Sequence, residues 1–396
     1  MNKIKQIVII FLLISSTSIF AQKINTNELL PFVLLEKNEY EKALVLLDQL
    51  IKEDSKPEFQ LAKIEALYKL NRHQEAISLC KKVDQERPAS SSIYKIKIYS
   101  KLGDEENLQL ALNENLSSKY KMLLYDLLNK EEFIDIQSSV LLKTDVYSSV
   151  EKQLYQTEKL IYSNNYTQAI FIVDEVISRN SNNADAYFLQ SKISFHLGDY
   201  RKANFAIDNA INIYRSNPEF IKQKVKVNLK LEYYSEALEN VNRLIRKDSY
   251  NAENYILKLN TLVLNDMFDE GIELSNKLLE LIPENEEVLL LNSNSYFKVG
   301  DNLSALKSVN KALELKQSKE AFEIRGDIYM ATSTYKFAVS DYSMYLDIEP
   351  YNGEVYLKKG LARLKLGDQK GACSDWTKAK RYGCYKAVRY LEKYCK

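Results

Sequence analysis

The residues that could carry out catalysis or bind a metal ion are few and widely separated along this chain. Its 396 residues include two histidines, His73 and His196, and four cysteines. Each histidine falls near a predicted boundary between a helix and a turn, too far from the other for a metal triad or a serine-histidine-aspartate relay. The chain has no glycine-rich phosphate loop and no HExxH zinc motif. The sequence therefore predicts no catalytic residue, no metal site and no cofactor.

Charge is balanced over the chain and offers no general attraction to a charged partner. Lysine and arginine number 55, and aspartate and glutamate 54, which leaves a net charge of +1. No global field would draw in nucleic acid or an anionic membrane, so such a partner would need a local patch. Hydrophobic residues make up 45% of the chain, enough to bury an extensive core. We expect a folded protein with no nucleic-acid partner.

A small residue recurs along the chain every 33 or 34 residues, with one longer gap. The series is Ala43, Ala76, Ala169, Ala203, Ala237, Gly271, Ala305, Ala338 and Ala372. Two antiparallel helices joined by a short turn need a small residue where their backbones approach most closely. Each such hairpin leaves an apolar face that only the next hairpin can bury. The spacing therefore predicts a stack of helix pairs.

This pattern resembles the tetratricopeptide-repeat family, whose unit is a helix-turn-helix of about 34 residues. Segment 319–352 fits best, because it has the following consensus residues in register: Gly326, Tyr329, Tyr335, Ala338, Tyr342 and Pro350. The resemblance implies an all-α, right-handed superhelical solenoid of antiparallel helix pairs with a C-terminal capping helix. The eighth position of the unit, small in the family, is Val225 and Leu259 in two repeats, so we expect looser helix packing there.

The N-terminal residues and the repeat spacing together predict five segments. They are a signal peptide at 1–21, an N-terminal repeat pair at 22–90, divergent helical hairpins at 91–149, a continuous array at 150–383 and a capping helix at 384–396. Residues 91–149 break the register but keep helical patterns, and a structureless loop of that length would be unusual in a compact array. This segment is either a hinge or part of a continuous stack with two degenerate units.

The first residues predict export from the cell. Lys3 and Lys5 form a basic start, an apolar run follows at 7–14, and Ala21 is a plausible cleavage point. The apolar run is too short for a stable bilayer anchor. We therefore expect a mature protein that begins near Gln22, has no integral membrane segment and lies in the periplasm or at the cell surface. An uncleaved membrane anchor is the competing interpretation.

The resemblance also implies where a partner binds. In tetratricopeptide repeats the first helix of each unit lines a concave groove, mainly through its second, fifth, ninth and twelfth positions. Carried onto this chain, those positions give a predicted groove of Phe188, Lys192, Phe195, Lys222, Lys226, Ile256, Asn260, Leu290, Asn294 and Phe297. Apolar side chains beside amides and charges suit an extended or helical peptide. Lys222, Lys226 and Lys230 also form a basic stripe, which an ordinary solvated helix face explains as well.

Three of the four cysteines lie near the C-terminus, together with the only tryptophan, Trp376. This ending resembles the closing segment of exported bacterial repeat proteins, which implies a disulfide between Cys373 and Cys395 that fastens the capping helix. Cys384 departs from that pattern and is a competing partner, and reduced, buried thiols are the other alternative. The tail has no histidine and no CxxC motif, so no zinc site is expected. Cys80 is predicted to be a small, buried apolar residue.

These features predict a scaffold or adaptor for protein-protein interaction in the bacterial cell envelope, with a peptide or protein partner in the groove. A second hypothesis is a binding protein for a glycan or peptidoglycan fragment, because the chain contains 28 tyrosines. An enzyme is the third hypothesis, and it would need a polar cluster within one pocket. The sequence does not indicate an oligomeric state.

Overall fold

The computed structural model of the chain describes residues 24–118, 147–215 and 217–395. The predicted signal peptide, residues 1–21, lies outside the described residues, as do residues 119–146 of the predicted divergent hairpins. Within the described ranges the regular structure consists of 21 α-helices and one 3-10 helix, with no β-strand. The predicted all-α fold class is therefore confirmed.

The chain divides into two compact units, residues 1–254 and 255–396. The first unit contains α1 (Thr26–Glu36), α2 (Tyr40–Glu53), α3 (Pro57–Lys69), α4 (His73–Glu86), α5 (Ser92–Leu102), α6 (Glu105–Leu116), α7 (Ser149–Tyr162), α8 (Tyr166–Arg179), α9 (Ala184–His196), α10 (Tyr200–Ile213), α11 (Pro218–Lys230) and α12 (Tyr234–Lys247). The boundary between the units falls within α13 (Ala252–Leu264). The second unit continues with α14 (Phe268–Leu281), α15 (Glu286–Lys298), α16 (Asn302–Leu315), α17 (Lys319–Ala331), α18 (Tyr335–Ile348), α19 (Gly353–Lys365), α20 (Gln369–Arg381), a 3-10 turn (Tyr385–Ala387) and α21 (Val388–Tyr394).

Consecutive helices pack as pairs within each unit, for example α9 with α10 and α17 with α18. Short turns make the two helices of a pair antiparallel. In the turn after α9, Gly198 has a φ of +79°, a left-handed conformation that ends the helix at little cost for glycine. The side chain of the next residue, Asp199, accepts a hydrogen bond from the Lys202 backbone N–H and so caps α10. The predicted segment boundaries stay a prediction.

The recurring small residues lie where the helices of a pair meet. All eight alanines of the series are fully buried, with no exposed surface. A Cβ atom added to Gly271, the sixth member, would lie 3.6 Å from the Val263 Cγ2 atom of the paired helix α13 and 3.1 Å from the Ser295 Oγ atom of α15 in the next pair. Val225 and Leu259, which replace the small residue at the eighth position, are also fully buried. The predicted origin of the 34-residue spacing in helix pairing is therefore confirmed.

One contact within the first unit joins residues far apart in the chain. The ring of Tyr250, in the turn after α12, stacks on Phe32 of α1 with centroids 4.7 Å apart, and it lies 5.2 Å from the Phe59 ring of α3. The Tyr250 hydroxyl donates a 2.9 Å hydrogen bond to Glu28. Lys56 pairs with the same Glu28 carboxylate at 2.8 Å. The N-terminal helix pair is therefore attached to a turn 222 residues away.

In the second unit, the last helix is fastened to α20. Cys373 and Cys395 are joined by a disulfide, with Cα atoms 5.7 Å apart. The fully buried indole of Trp376 stacks on Tyr390 at 5.2 Å. Cys384 is a buried free cysteine. No residue of α21 is fully buried, and the helix is attached by the disulfide, by the contact with Trp376 and by partly buried apolar residues such as Leu391.

Candidate functional site

A cavity of about 140 Å³ lies across three successive first helices of the first unit, α7, α9 and α11. These helices are neighbours because α9 packs against both α7 and α11. Its lining residues come from α7, from the first half of α9 and from the start of α11: Glu151, Leu154, Tyr155, Glu158, Asp185, Phe188, Leu189, Asn217, Glu219 and Phe220. We call this cavity the first-helix pocket.

The floor of the first-helix pocket is apolar. The rings of Phe188 and Phe220 pack with centroids 4.9 Å apart, and Phe220 is buried. Pro218 occupies the first turn of α11, and the Asn217 side chain accepts a hydrogen bond from the Glu219 backbone N–H. A proline at this position is compatible with helix initiation and fixes the backbone. These two residues therefore define where α11 begins and bring Phe220 against Phe188.

Carboxylates form the rim of the pocket. Glu151, Asp185 and Glu219 each lie in the first turn of their helix, where the helix dipole favours negative charge. Asp185 has exposed surface, yet the protein atoms packed around its carboxyl group raise its pKa by restricting hydration. The charge of Glu151 raises the pKa of Asp185 further. The rim is therefore a region of concentrated negative charge.

Basic side chains lie on the same helices as the pocket. The Lys192 ammonium is 5.5 Å from the centroid of the Phe188 ring, and Lys226 is exposed. Burial lowers the pKa of His196, and the positive charges of Lys192 and Lys226 lower it further. The His196 ring stacks on Tyr166 with centroids 5.0 Å apart.

Five of the predicted groove residues belong to the first unit. Phe188 lines the first-helix pocket and Lys192 lies over its ring. Phe195 packs edge-on against Tyr200, 5.4 Å away, at the start of α10. Lys222 pairs with Glu253 at 2.7 Å, and Lys226 faces solvent.

The other five predicted groove residues belong to the part of the chain after residue 254. They are all half-buried and lie on α13 and α15: Ile256, Asn260, Leu290, Asn294 and Phe297. Leu290 and Phe297 pack against the buried cluster that contains Val309 and Ile328. That a partner binds at these ten residues stays a prediction.

The rim carboxylates were missed by the sequence reasoning, although the sequence holds a signal for them. Glu151, Asp185, Glu219 and Glu253 recur at the second position of successive repeats, at the same interval of 34 residues as the small residues. Acidic residues are common in first helical turns, so the recurrence alone does not separate a rim from a favourable helix start. Only the structure reveals that three of them border one cavity.

First helices of the second unit also carry carboxylates, and there the charges are paired. The Lys358 ammonium of α19 donates 2.7 Å hydrogen bonds to both Glu323 and Asp327 of α17. The buried Tyr342 hydroxyl donates a 2.7 Å hydrogen bond to Asp327.

Throughout the described ranges, no three histidine, cysteine or acidic side chains are grouped so as to hold a metal ion. In those same ranges no helix has the length and apolarity required to span a bilayer.

Comparisons with known proteins identify the class of repeat. Residues 33–91 match a family model described as tetratricopeptide repeat, and residues 163–244 match one described as anaphase-promoting complex, cyclosome, subunit 3. These matches and the helix pairs support a helical-repeat scaffold of the tetratricopeptide type. No curated protein sequence matches the chain.

Two solved structures agree with that class. A tetratricopeptide repeat protein from Parabacteroides merdae is similar with a TM-score of 0.52 and 17% identity, over 60% of this chain and 95% of that one. The anaphase-promoting-complex hetero-tetramer Cut9-Hcn1 is similar with a TM-score of 0.51 and 12% identity, over 92% of this chain and 88% of that one. At these identities the likeness concerns the fold alone.

Proposed function

We propose that the protein is a scaffold of the bacterial cell envelope that binds a peptide segment of a partner protein along α7, α9 and α11. The observation that carries this proposal is the first-helix pocket, which has an apolar floor and a charged rim and crosses three successive repeats. Peptides bound in helical grooves use such alternating anchors and charges.

The size of the pocket favours a protein partner over a small substrate. Sites for small molecules usually enclose about 300–1,000 Å³, whereas this pocket encloses about 140 Å³. It suits one side chain of a longer ligand. The first-helix pocket by itself gives no support to an enzyme or a glycan-binding protein, and several of the tyrosines that suggested a glycan, such as Tyr342 and Tyr345, are buried in the core.

Two features support an exported location. The N-terminal residues have the basic start and apolar run of a signal peptide. The disulfide between Cys373 and Cys395 suits an oxidising compartment, where such bonds form and persist.

Site-specific photocrosslinking in the native envelope tests the proposal. A photoreactive amino acid replaces Asp185 at the rim of the pocket in one variant and Leu303 of α16, which is 81% exposed, in a control variant. We expect the variant with the probe at Asp185 to capture a discrete protein partner that the Leu303 control does not capture. The absence of a crosslinked protein at Asp185, or an identical pattern from both positions, would contradict the proposal.

A further inference from the structure

We propose that the N-terminal helices are an autoinhibitory strap, held closed by Tyr250, that opens to let a partner peptide reach Lys222 and Glu253. We use the name N-terminal strap for residues 26–69, which comprise α1, α2 and α3. This inference rests on the proposed function, because it takes the ligand to be a peptide that lies along successive first helices. It adds a regulation of how far along the groove that peptide can extend.

The contacts of Tyr250 hold the N-terminal strap closed. The Tyr250 ring stacks on Phe32 with centroids 4.7 Å apart and the ring planes 7° from parallel. The Phe59 ring packs at a tilt 5.2 Å away, and the Lys56 ammonium lies 6.0 Å from the Tyr250 centroid. The Tyr250 hydroxyl donates its hydrogen bond to Glu28. Both the ring and the hydroxyl of this tyrosine are therefore engaged by the strap.

A tyrosine at this place in the repeat does not depend on its own helix pair for burial. Tyr250 and Tyr351 each follow the end of a second helix by three residues, after α12 and α18 respectively. Tyr351 is 73% exposed and contacts Tyr382 edge-on at 5.4 Å. Tyr250 is half-buried, and rings of the N-terminal strap cover it. The strap therefore covers a surface that the corresponding turn of another repeat leaves open.

The N-terminal strap also lies beside a predicted groove residue. Tyr250 is followed three residues later by Glu253, which pairs with Lys222 at 2.7 Å. Glu36 ends α1, and the protein atoms packed around its carboxyl group raise its pKa by restricting hydration. The charge of Glu253 raises the pKa of Glu36 further, which requires the two carboxylates to be close. A peptide that extends to Lys222 and Glu253 therefore meets the end of α1.

Opposing interactions leave the closed strap able to open. The aromatic stack and the hydrogen bond to Glu28 favour closure. Repulsion between Glu36 and Glu253 opposes closure, although Lys222 offsets part of the Glu253 charge. A ligand shifts such an equilibrium when it binds the open form better than the closed form. A peptide that takes the place of Glu36 beside Lys222 meets this condition, because its binding requires the open form.

Electron-spin distance measurements on the full mature chain test whether Tyr250 holds the strap closed. Spin labels are attached at two exposed positions, Asn27→Cys on α1 and Lys247→Cys on α12. The free cysteines, Cys80 and Cys384, are buried. In the chain with Tyr250, a single distance between the labels should dominate. Tyr250→Ala should raise the population of a longer distance by at least about tenfold, because it removes an aromatic stack and a hydrogen bond to a charged group.

Two further variants identify what the tyrosine contributes. Tyr250→Phe keeps the ring but lacks the hydroxyl, so its open population should lie between those of the unchanged chain and Tyr250→Ala. Tyr351→Ala removes the exposed tyrosine at the corresponding turn and should leave the distance between the labels unchanged. The strap is overturned if Tyr250→Ala leaves the distance distribution unchanged, or if Tyr351→Ala changes it equally.

Photocrosslinking in the native envelope tests the autoinhibition. The photoreactive amino acid replaces Lys226, which is exposed and whose charge acts on Glu253, and capture is compared with that from Asp185. Tyr250→Ala should raise capture from Lys226 relative to Asp185. The increase should match that of the open population, because apparent affinity scales with the fraction of chains able to bind.

The outcomes separate this inference from the proposed function. If Asp185 captures a protein and Tyr250→Ala leaves the ratio of the two captures unchanged, the autoinhibition is overturned and the peptide-binding scaffold stands. If Asp185 captures no protein, the scaffold falls, and the autoinhibition falls with it.

Discussion

The first helices of both units carry carboxylates, but Asp185 and Glu219 of the first unit are exposed in a first helical turn, whereas Glu323 and Asp327 of the second unit are half-buried further along their helix. In the second unit, Glu323 and Asp327 share the Lys358 ammonium, and Asp327 also accepts a hydrogen bond from Tyr342. In the first unit, Asp185 and Glu219 border an open pocket, and neither makes a salt bridge with a described residue, although the Lys222 charge acts on Glu219. One repeat architecture therefore supports two uses of the same side chains. The carboxylates of the second unit are paired within the fold, whereas Asp185 and Glu219 are exposed to solvent.

The difference originates in neighbouring side chains rather than in the helices themselves. Tyr342 is fully buried, and its burial and the nearby Asp327 charge raise its pKa well above the usual range. Its hydroxyl therefore stays protonated and keeps donating to Asp327.

The largest expected effect comes from breaking a buried pair in the second unit. Arg325 makes two 2.8 Å hydrogen bonds to Asp341, whose side chain is 5% exposed. Arg325→Met leaves that carboxylate buried without a cation, which should lower the free energy of unfolding by about 4 kcal/mol. Urea unfolding followed by circular dichroism measures the change. Asp185→Asn in the first unit is the contrast, and it should change the free energy by less than about 0.5 kcal/mol. Equal losses of unfolding free energy in Arg325→Met and Asp185→Asn would contradict the difference that we infer between the two units.

Loss of the disulfide in the second unit should have the second largest effect on stability. It closes a loop with a sequence separation of 22 residues, for which the chain-entropy model gives about 3 kcal/mol. Cys373→Ser should lower the thermal stability of α20 and α21 accordingly. Trp376 is the only tryptophan, so its fluorescence reports this end of the chain directly. Cys80→Ser, at a buried cysteine outside the disulfide, controls for the loss of a thiol. An unchanged melting curve for Trp376 in Cys373→Ser would argue against the stabilising role of the bond.

The eighth position of the repeat gives a smaller, matched comparison. A Cβ atom added to Gly360 of the second unit would lie 2.4 Å from Trp376 Nε1, and Gly360→Ala should destabilise by about 2 kcal/mol through overpacking. In the first unit the same position is Ser191, whose hydroxyl donates a 2.8 Å hydrogen bond to the Ala203 carbonyl. Ser191→Ala should cost about 1 kcal/mol, as for one ordinary hydrogen bond. Urea unfolding of both variants measures the two losses of unfolding free energy. A greater loss in Ser191→Ala than in Gly360→Ala would contradict this prediction.

The smallest expected effect is the pH dependence contributed by Asp185. Its pKa is raised above the ordinary value of 3.8, so the folded chain binds the proton more tightly than the unfolded chain does. The contribution of Asp185 to stability is therefore present below about pH 4 and is lost as the pH rises through the raised pKa. Subtracting the unfolding free energy of Asp185→Asn at each pH isolates this slope. We expect this difference in unfolding free energy to grow as the pH falls from neutrality to about 4. A difference that shrinks over the same range would contradict the prediction.

Local features of the fold could be predicted from the sequence because repeats are made of local contacts. The alanine series marks the helix contacts, and Gly198 with Asp199 marks a turn and the following cap. Whether a carboxylate in the first turn of a first helix is paired with a lysine could not be predicted in the same way. It depends on whether the fifth residue of the preceding repeat is Lys222 or Phe188, and therefore on how far a side chain reaches between helices.

The contact of Tyr250 with the helix pair α1 and α2 affects how the first unit should unfold. Linear repeat arrays commonly fray from an end, because each hairpin depends only on its neighbour. Here the first described hairpin is also held by Tyr250 through the Phe32 ring and Glu28. Opening of α1 therefore also breaks its contacts with the turn after α12, and we expect the two segments to open together.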